Sequence, residues 1–252
     1  MIELFHADAS TCSQKVRICL AEKNLDYIDR QVDLAKFEHL TPAYLAINPN
    51  GVVPALRHDG TVIIESSVMC EYLDEVFPDP ALSPPDAKGR AHMRAWLRFI
   101  DEVPSMAVRV PTFQRLILPS YQKLSEEDFD TLADSMPVRK TFIMRMGQEG
   151  FSDADYQGSI EQLDRSIKRM EQALGKGPWL LGEQFTIADI CVAPLLHRMA
   201  ELGMAAMWKA DAPLVTAWYR RLKARPAFAK AYYPKARMAY YHPQLEQLQG
   251  QD

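Results

Sequence analysis

The sequence of 252 residues lacks the features of several specialised classes of protein. Its cysteines are far apart and form no Cys-x-x-Cys pair, so we expect neither a disulfide framework nor a zinc site. The six histidines show no His-x-x-x-His spacing, and we predict no metal site. No apolar run reaches the roughly 18 residues of a membrane-spanning helix. Residues 1–5 show no basic segment ahead of an apolar stretch, which predicts the absence of a secretory signal.

Neither sign of charge dominates the composition. The formal net charge is −4 at pH 7, from 29 basic and 33 acidic residues. This balance disfavours nucleic acid or an acidic membrane surface as the main partner. Apolar residues make up 48% of the chain, which is enough for a sizeable core and excludes global disorder. Together with the scattered cysteines, these properties favour a reduced, cytoplasmic protein of one or two domains.

The first eighty residues alternate between strand and helix patterns. Hydroxyl residues at positions 10–13 precede an apolar periodic run, which marks the start of a helix. An Asp-Gly pair between two short apolar runs is a strong hairpin signal. In chain order we predict a strand at Ile2–His6, a helix to about Asn24, a strand at Tyr27–Val32, an irregular helical connection at Lys36–Ile47, a hairpin at Pro54–Ile64 and a helix from Glu65 to Pro78. This order, βαβαββα, indicates an α/β layer with a βαβ half followed by an antiparallel pair.

The rest of the chain shows only helical patterns. Four prolines within residues 78–85 are typical of a linker. Apolar residues recur at three- and four-residue steps beyond it, so we expect an all-helical second domain. The predicted helical segments are Arg90–Ile100, Asp128–Met146, Ala154–Leu174, Ala188–Leu202 and Pro213–Ala224. We therefore divide the chain into a first domain at residues 1–79, a linker at 80–87 and a helical domain at 88–252.

Three short motifs carry the chemical signal. The first is Ser10-Thr11-Cys12-Ser13 at a helix N-terminus, where free N–H groups and the helix dipole favour anions. The second is Val53-Pro54 after a turn, which would present the backbone of Val53 to a peptide-like ligand if the peptide bond is cis. The third is Glu65-Ser66 at the next helix start, suited to a ligand with an ammonium and a carboxylate. Each motif alone also fits a helix cap or an edge-strand proline. All three, however, fall at the end of the α/β elements where open sheets bind ligands.

Longer stretches around these motifs resemble one family. Residues 10–20, STCSQKVRICL, are followed by NPNGVVPAL at 48–56, by GEQFTIAD at 182–189 and by RPA at 225–227. The chain resembles the cytosolic glutathione transferases, and the first stretch is similar to the active-site segment of the zeta and tau classes. The resemblance covers nearly the whole chain. It implies a thioredoxin-like N-terminal domain, an all-α C-terminal domain, glutathione as co-substrate and usually a homodimer.

The resemblance also implies where the glutathione sulfur binds. Ser10 matches the serine that hydrogen-bonds this sulfur in zeta-like and tau-like enzymes. Omega-like enzymes, which form mixed disulfides, carry a cysteine at that position, so the hydroxyl here favours conjugation over thiol exchange. Cys12 lies two residues on, where we expect a bystander. Because some related patterns place the working serine elsewhere in the loop, Thr11 and Ser13 remain candidates.

The same resemblance implies contacts for the rest of glutathione. His39 lies where a side chain binding the glycyl carboxylate is expected. The backbone of Val53, ahead of Pro54, would pair with the cysteinyl part. Glu65 and Ser66 would hold the γ-glutamyl end.

The electrophile is expected between the two domains. The apolar candidates on the first helices of the second domain are Val108, Phe113, Leu116 and Ile117. Arg109 would favour an acidic or phenolic substrate, but an exposed surface charge is the simpler interpretation. Whether the aromatic run at 232–242 folds over the site is left open by the sequence.

Several functions remain open within this framework. The leading hypothesis is an enzyme that transfers glutathione to a small apolar electrophile, in detoxification or aromatic catabolism. Residues 104–151 are long for the first helical hairpin. Together with KFE at 36–38, EYL at 71–73, LSEEDF at 124–129 and GF at 150–151, this stretch resembles the bacterial β-aryl-etherase-type transferases of lignin breakdown, so reductive aryl-ether cleavage is the sharper alternative. A carrier of apolar ligands and a structural module of the same fold are the non-catalytic alternatives.

Overall fold

A four-stranded mixed sheet organises the first part of the chain. The computed structural model describes residues 1–249. The strands are β1 (Ile2–His6), β2 (Ile28–Gln31), β3 (Ala55–His58) and β4 (Thr61–Ile63). They lie in the order β2-β1-β3-β4, with β1 parallel to β2 and antiparallel to β3. The predicted hairpin joins β3 to β4 through Asp59 and Gly60, whose φ angles of 47° and 86° are both positive.

Helices cover this sheet in the predicted order. They are α1 (Thr11–Glu22), α2 (Pro42–Leu45) and α3 (Ser66–Val76), with a short 3₁₀ turn at Glu38–Leu40. α1 ends near Asn24, which has a left-handed φ of 50°, a common way for a helix to stop. α1 packs against α3, and both bury apolar side chains such as Val16 and Leu73 in one cluster. This βαβαββα layer is thioredoxin-like, so the prediction for the first part of the fold is confirmed.

The second part of the chain is helical. Its helices are α4 (Ala87–Glu102), α5 (Pro104–Ala107), α6 (Arg109–Thr112), α7 (Leu118–Tyr121), α8 (Glu126–Asp134), α9 (Lys140–Met146), α10 (Asp153–Leu174), α11 (Ile187–Glu201), α12 (Ala206–Lys209), α13 (Pro213–Lys223), α14 (Pro226–Ala231), α15 (Met238–Tyr241) and α16 (Glu246–Gln249). A π-helical turn at Phe113–Ile117 and 3₁₀ turns at Pro234–Ala236 and Pro243–Leu245 join some of them. No helix within residues 1–249 is both long enough and apolar enough to cross a membrane.

One predicted helical segment is interrupted. The pattern at Asp128–Met146 forms two helices, α8 and α9, separated by residues 135–139. Pro137 lies in this gap. Because proline has no N–H to donate and its ring crowds the preceding turn, a continuous helix through this position is disfavoured.

The two parts share one main apolar core. It joins α1 and α3 to α4, α10, α11 and α13, and it includes Cys19, Cys70 and Cys191, which are fully buried. A polar link crosses the same boundary. Lys15 on α1, which is fully buried, places its Nζ 2.7 Å from Asp101 Oδ1 on α4, and Ser67 Oγ donates to Asp101 Oδ2 at 2.6 Å. The N-terminal end of α1 is therefore fixed against the helical part.

A smaller cluster holds residues 118–151 together. Its buried members are Leu118, Tyr121, Phe129, Ala133, Met136, Ile143, Met146 and Phe151. Phe37 and Leu40 of the first part of the chain pack against it. The α8–α9 segment therefore packs against the connection between β2 and α2.

α11 begins with a capping box. Thr186 and Asp189 cap each other's backbone groups, and Asp189 also accepts from Leu180 N and Trp218 Nε1. Burial raises the pKa of Asp189 to about 6, despite these hydrogen bonds. Asp189 is thus an internal structural carboxylate of the helical part.

Candidate active site

The N-terminus of α1 is open on one side. Ser10 is its N-cap, and Ser10 Oγ accepts from Ser13 N at 3.3 Å. Ser10, Thr11 and Cys12 are half-buried, whereas Ser13 has no exposed surface. Within residues 1–249 the amides of Thr11 and Cys12 donate no hydrogen bond, as expected for a first helical turn. These groups form a partly accessible site for a negative charge.

The four candidate residues of this loop differ in what they can offer a ligand. Ser13 Oγ accepts from Ala7 N at 3.4 Å and lies in the interior, so its hydroxyl is engaged in the loop itself. Ser10 uses its oxygen as an acceptor, which leaves its hydroxyl proton available to an outside acceptor. Thr11 makes no side-chain hydrogen bond in the described part of the chain, and Cys12 is a free thiol. The geometry is most favourable for Ser10.

The Val53-Pro54 segment presents a free stretch of backbone. The Val53–Pro54 peptide bond is cis. Tyr44 Oη and Asn48 Nδ2 both donate to the carbonyl of Val52, at 2.7 and 2.8 Å, and hold the loop. Neither the N–H nor the C=O of Val53 makes a hydrogen bond to another residue in the described range. A peptide-like ligand that pairs with both groups would satisfy them.

Glu65 has an unusual backbone conformation at the start of α3. Its φ of 67° and ψ of 115° are rare for a residue other than glycine and cost on the order of 1–3 kcal/mol. Asn50 Nδ2 donates to Glu65 Oε1 at 3.3 Å, and the Glu65 side chain is otherwise exposed. Ser66 follows as the first residue of α3 and is 8% exposed. A carboxylate and a hydroxyl thus lie side by side at a helix N-terminus.

His39 lies on the 3₁₀ turn at Glu38–Leu40, whose Leu40 packs against Gly51. Its ring contacts that of Phe37, with the centroids 6.2 Å apart. Burial, and then the charge of Arg139, lower the pKa of His39 to about 4, so the ring is neutral at pH 7. Its Nδ1 is buried and has no hydrogen-bond partner among residues 1–249. An unpaired buried nitrogen is unfavourable and suits a ligand that supplies the partner.

The four apolar candidates for the electrophile site do not share one surface. Val108 lies in the main core, and Phe113 packs in the 118–151 cluster, with its ring 5.1 Å from that of Phe142. Leu116 is buried in a third cluster, where Ile117 and Ala9 pack around it. Of the four, Leu116 and Ile117 thus share a cluster with Ala9, which lies in the loop leading to Ser10.

Arg109 is not the exposed surface charge that the sequence favours. It is half-buried, its guanidinium carbon lies 5.5 Å from the centroid of the Phe142 ring, and its Nη1 lies 3.1 Å from Met106 Sδ. Arg139, just before α9, is half-buried as well. Burial is the main cause that lowers the pKa of both arginines. The pKa of Arg109 falls to about 10. Sequence patterns missed Arg139, because it lies in the gap where the predicted helix is broken.

The C-terminal segment covers one flank of the β1–α1 loop. Tyr233 Oη donates to Asp8, and Tyr241 Oη donates to the same carboxylate at 3.4 Å. Gln14 Nε2 donates to the carbonyl of Ala236 at 2.7 Å. The aromatic run whose position the sequence left open therefore packs beside the candidate site and fixes the loop that precedes Ser10.

Comparison with known proteins identifies the family. The N-terminal domain family of glutathione S-transferases matches residues 4–81, and the C-terminal domain family matches residues 153–221. Protein LigF of Sphingobium sp. strain SYK-6 is 32% identical over 238 residues, which cover 92% of this chain and 93% of LigF. The chain belongs to the glutathione S-transferase family.

One further relative and one solved structure agree with this assignment. Glutathione S-transferase F13 of Arabidopsis thaliana is 28% identical over 229 residues, covering 91% of this chain and 94% of the plant protein. The crystal structure of the β-etherase LigF from Sphingobium sp. strain SYK-6 superposes with a TM-score of 0.84 at 31% identity, covering 92% of this chain and 98% of that one. The predictions of a glutathione transferase and of its two-part fold are thereby confirmed at the level of the family.

Proposed function

We propose that this transferase activates glutathione at Ser10 and uses the thiolate to displace an aryloxy group from a β-aryl ether. The observation that carries the activation step is the N-terminus of α1. There the free amides of Thr11 and Cys12 lie beside a serine hydroxyl whose proton is not used within the loop. The similarity to the β-etherase LigF supports the choice of an ether over other electrophiles.

The remaining contacts to glutathione follow the chemistry of the tripeptide. The free N–H and C=O of Val53, beside Pro54, pair with the cysteinyl backbone. Glu65 accepts from the γ-glutamyl ammonium, while Ser66 and the start of α3 donate to the γ-glutamyl carboxylate. His39, as a neutral donor, hydrogen-bonds the glycyl carboxylate. No metal takes part in this scheme.

Activation of the thiol is within reach of one hydrogen bond and a helix dipole. A free thiol has a pKa near 8.5, so only a few per cent is thiolate at pH 7. Lowering that pKa by about 2 units requires roughly 2.7 kcal/mol of preferential stabilisation of the anion. A hydrogen bond to a charged group contributes about 1.5–3 kcal/mol. A side-chain base is unnecessary, because the thiol proton leaves to solvent.

The ether cleavage balances without a further reactant. The glutathione sulfur attacks the carbon that carries the aryloxy group, so a C–S bond forms as the C–O bond breaks. The electron pair of the C–O bond leaves on the phenolate, and the products are a glutathione thioether and a phenol. The protein positions the carbon next to the sulfur, which is where orientation contributes most to the rate.

The division of the chain and its assembly are also proposals. We propose a first domain at residues 1–79, a linker at 80–87 and a helical domain from residue 88 onward, acting as a homodimer in the cytoplasm. Val62 on β4 and Val68 and Val76 on α3 are 37–44% exposed and offer an apolar face for a second copy. The four free cysteines are typical of a reducing compartment.

The direct test is a product analysis. The protein is incubated with glutathione and, separately, a β-aryl ether, an aryl halide and an epoxide, and the products are identified by mass. We expect the ether to give a glutathione thioether and a free phenol in equal amounts. Conjugation of the halide or the epoxide without cleavage of the ether would support a transferase but overturn the proposal that a β-aryl ether is its substrate. A thermal shift with glutathione but no product from any electrophile would instead indicate a binding protein.

A further inference from the structure

Arg109 is a half-buried cation, and within residues 1–249 no carboxylate pairs with it. It starts α6, its guanidinium packs over the Phe142 ring of α9, and its Nη1 touches a thioether. Among residues 1–249 none of the ion pairs involves Arg109. Both of its contacts, with Phe142 and Met106, leave donor groups of the guanidinium unused.

Arg139 adds a second cation of the same kind at the same end of α9. It immediately precedes this helix, one turn before Phe142, and none of the ion pairs within the described range uses it. Two residues earlier, the ring of Pro137 packs against the glutathione side. A Cβ built on Gly51 would lie 2.9 Å from Pro137 Cδ. Arg139 is therefore two residues from the point where the helical part contacts Gly51, in the loop that leads to Val53.

No carboxylate within residues 1–249 forms an ion pair with either arginine. Burial is the main cause of the lowered pKa of Arg109, Arg139 and His39; the charge of Arg139 lowers the pKa of Arg109 and His39 further, and Cys12 acts in the opposite direction on the pKa of both arginines. Tyr121 also acts on Arg139 in the direction that raises its pKa, and neither Cys12 nor Tyr121 is a carboxylate. Arg109 packs on the Phe142 ring and Arg139 lies one turn before Phe142, so the two cations lie at one end of α9, which Pro137 joins to Gly51 of the glutathione side.

Unpaired, half-buried arginines are unfavourable unless something binds them. Removing a guanidinium from water without a counter-charge is costly, and its planar fork matches a carboxylate in geometry and charge. We propose that Arg109 and Arg139 bind a carboxylate carried by the electrophilic substrate, next to the attacking sulfur. This inference rests on the proposed function, because it takes the first turn of α1 as the position of the nucleophile. It makes acidic electrophiles the preferred second substrates.

The test uses a matched pair of electrophiles. The aryl halide 4-chloro-3-nitrobenzoate carries the acid, and 4-chloro-3-nitrobenzamide is its neutral counterpart. For each, kcat/KM with glutathione is divided by the uncatalysed rate constant, which removes the difference in intrinsic reactivity. We expect the wild-type ratio to favour the benzoate about 10-fold or more. Arg109→Met and Arg139→Met should each bring the ratio to within about 3-fold of one, whereas Arg109→Lys and Arg139→Lys should retain part of the preference.

Lys140→Met is the control for net charge, because Lys140 lies next to Arg139 but pairs with Asp134 at the surface. This variant should keep the wild-type preference. Arg109→Gln and Arg139→Gln serve if a methionine variant fails to fold. Equal normalised rates for the two halides with the wild-type protein would overturn the proposal. So would arginine variants that weaken glutathione binding in calorimetry but keep the preference, because the pair would then serve the glycyl carboxylate.

A binding measurement separates this inference from the proposed function. The unreactive probes 3-nitrobenzoate and 3-nitrobenzamide are titrated against the protein with glutathione bound. Binding of the benzoate about 10-fold tighter than the amide, lost in Arg109→Met, would support the anion site even if no electrophile is turned over. Equal binding of both probes to the wild-type protein would overturn the anion site even if conjugation is efficient.

Discussion

The two sides of the proposed active site are built in different ways. The glutathione side consists of short motifs at the ends of β1, β3 and β4, each placed by its own turn or cap. The electrophile side, residues 104–151, consists of short helices, a π-helical turn and two small clusters that meet only after the chain has folded. The first side is therefore encoded locally, whereas the second depends on contacts between distant segments.

The strongest way to break the glutathione side is to remove the Ser10 hydroxyl. If the pKa of the bound thiol rises from about 6.5 to about 8.5, the thiolate fraction at pH 7 falls about 25-fold, and the loss approaches about 100-fold below pH 6; kcat/KM should fall in proportion. For Ser10→Ala we expect this loss with glutathione still bound, and a pH–rate profile displaced to alkaline pH. If Ser10→Ala keeps the wild-type kcat while Thr11→Val or Ser13→Ala does not, the assignment of the serine is wrong.

Glu65 tests whether the same side holds the γ-glutamyl end. A charge-assisted hydrogen bond contributes about 1.5–3 kcal/mol, so Glu65→Gln should raise the dissociation constant of glutathione roughly 10- to 100-fold. The kcat at saturating glutathione should change little. Glu75→Gln, an exposed position on the same helix, is the control and should bind glutathione normally. Unchanged affinity in Glu65→Gln, measured by calorimetry, would remove Glu65 from the site.

His197, in the helical part, is expected to affect the stability of the fold rather than the binding of glutathione. Burial, and then Arg198, lower its pKa to about 3, whereas an exposed histidine has a pKa near 6.5. Between these values the unfolded chain binds a proton that the folded chain does not. The free energy of unfolding should therefore fall with pH below 6.5, by up to about 1.4 kcal/mol per pH unit from this group.

The contribution of His197 can be isolated by comparing urea unfolding at pH 7 and pH 4.5. Asp189 acts in the opposite direction, because its raised pKa makes the folded chain bind a proton more readily between about 3.8 and 6. His197→Gln should lose less stability on acidification than the wild type, while the exposed His92→Gln should follow the wild type. If the free energy of unfolding fell equally with pH in the wild type and in His197→Gln, the conclusion that the buried His197 ring is neutral would be wrong.

The smallest effect is expected at the contact between the two sides, where Gly51 meets Pro137, and it concerns the free energy of unfolding. Gly51 and Gly60 both have positive φ angles, so an alanine at either position is strained by about 1 kcal/mol. A Cβ at Gly51 would also press on Pro137 at 2.9 Å, whereas nothing lies within 4 Å of one at Gly60. Gly51→Ala should therefore lower the free energy of unfolding by about 1 kcal/mol more than Gly60→Ala. Equal losses in urea titrations would mean that Pro137 moves away at no cost.

The same contrast explains what the sequence could predict. Ser10, Val53, Glu65 and the hairpin at Asp59-Gly60 were predictable, because a cap or a turn requires particular residues at fixed spacing. The partners of Val108 and Phe113 were not, because an apolar residue on a short helix packs equally well in several clusters. The half-burial of Arg109 was also beyond local patterns, since it depends on Phe142 from another helix. The position of Arg139 could not be predicted either, because the apolar pattern indicates a continuous helix there, whereas Pro137 interrupts it.

The measurement that tests the central claim most directly is the ionisation of bound glutathione. Thiolate absorbs in the ultraviolet, so a difference spectrum of the complex, titrated from pH 5 to pH 10, gives the pKa of the bound thiol. We predict a value about 2 units below that of a free thiol near 8.5 for the wild type, and a value close to the free one for Ser10→Ala. A wild-type complex whose thiol titrates like free glutathione would contradict the account.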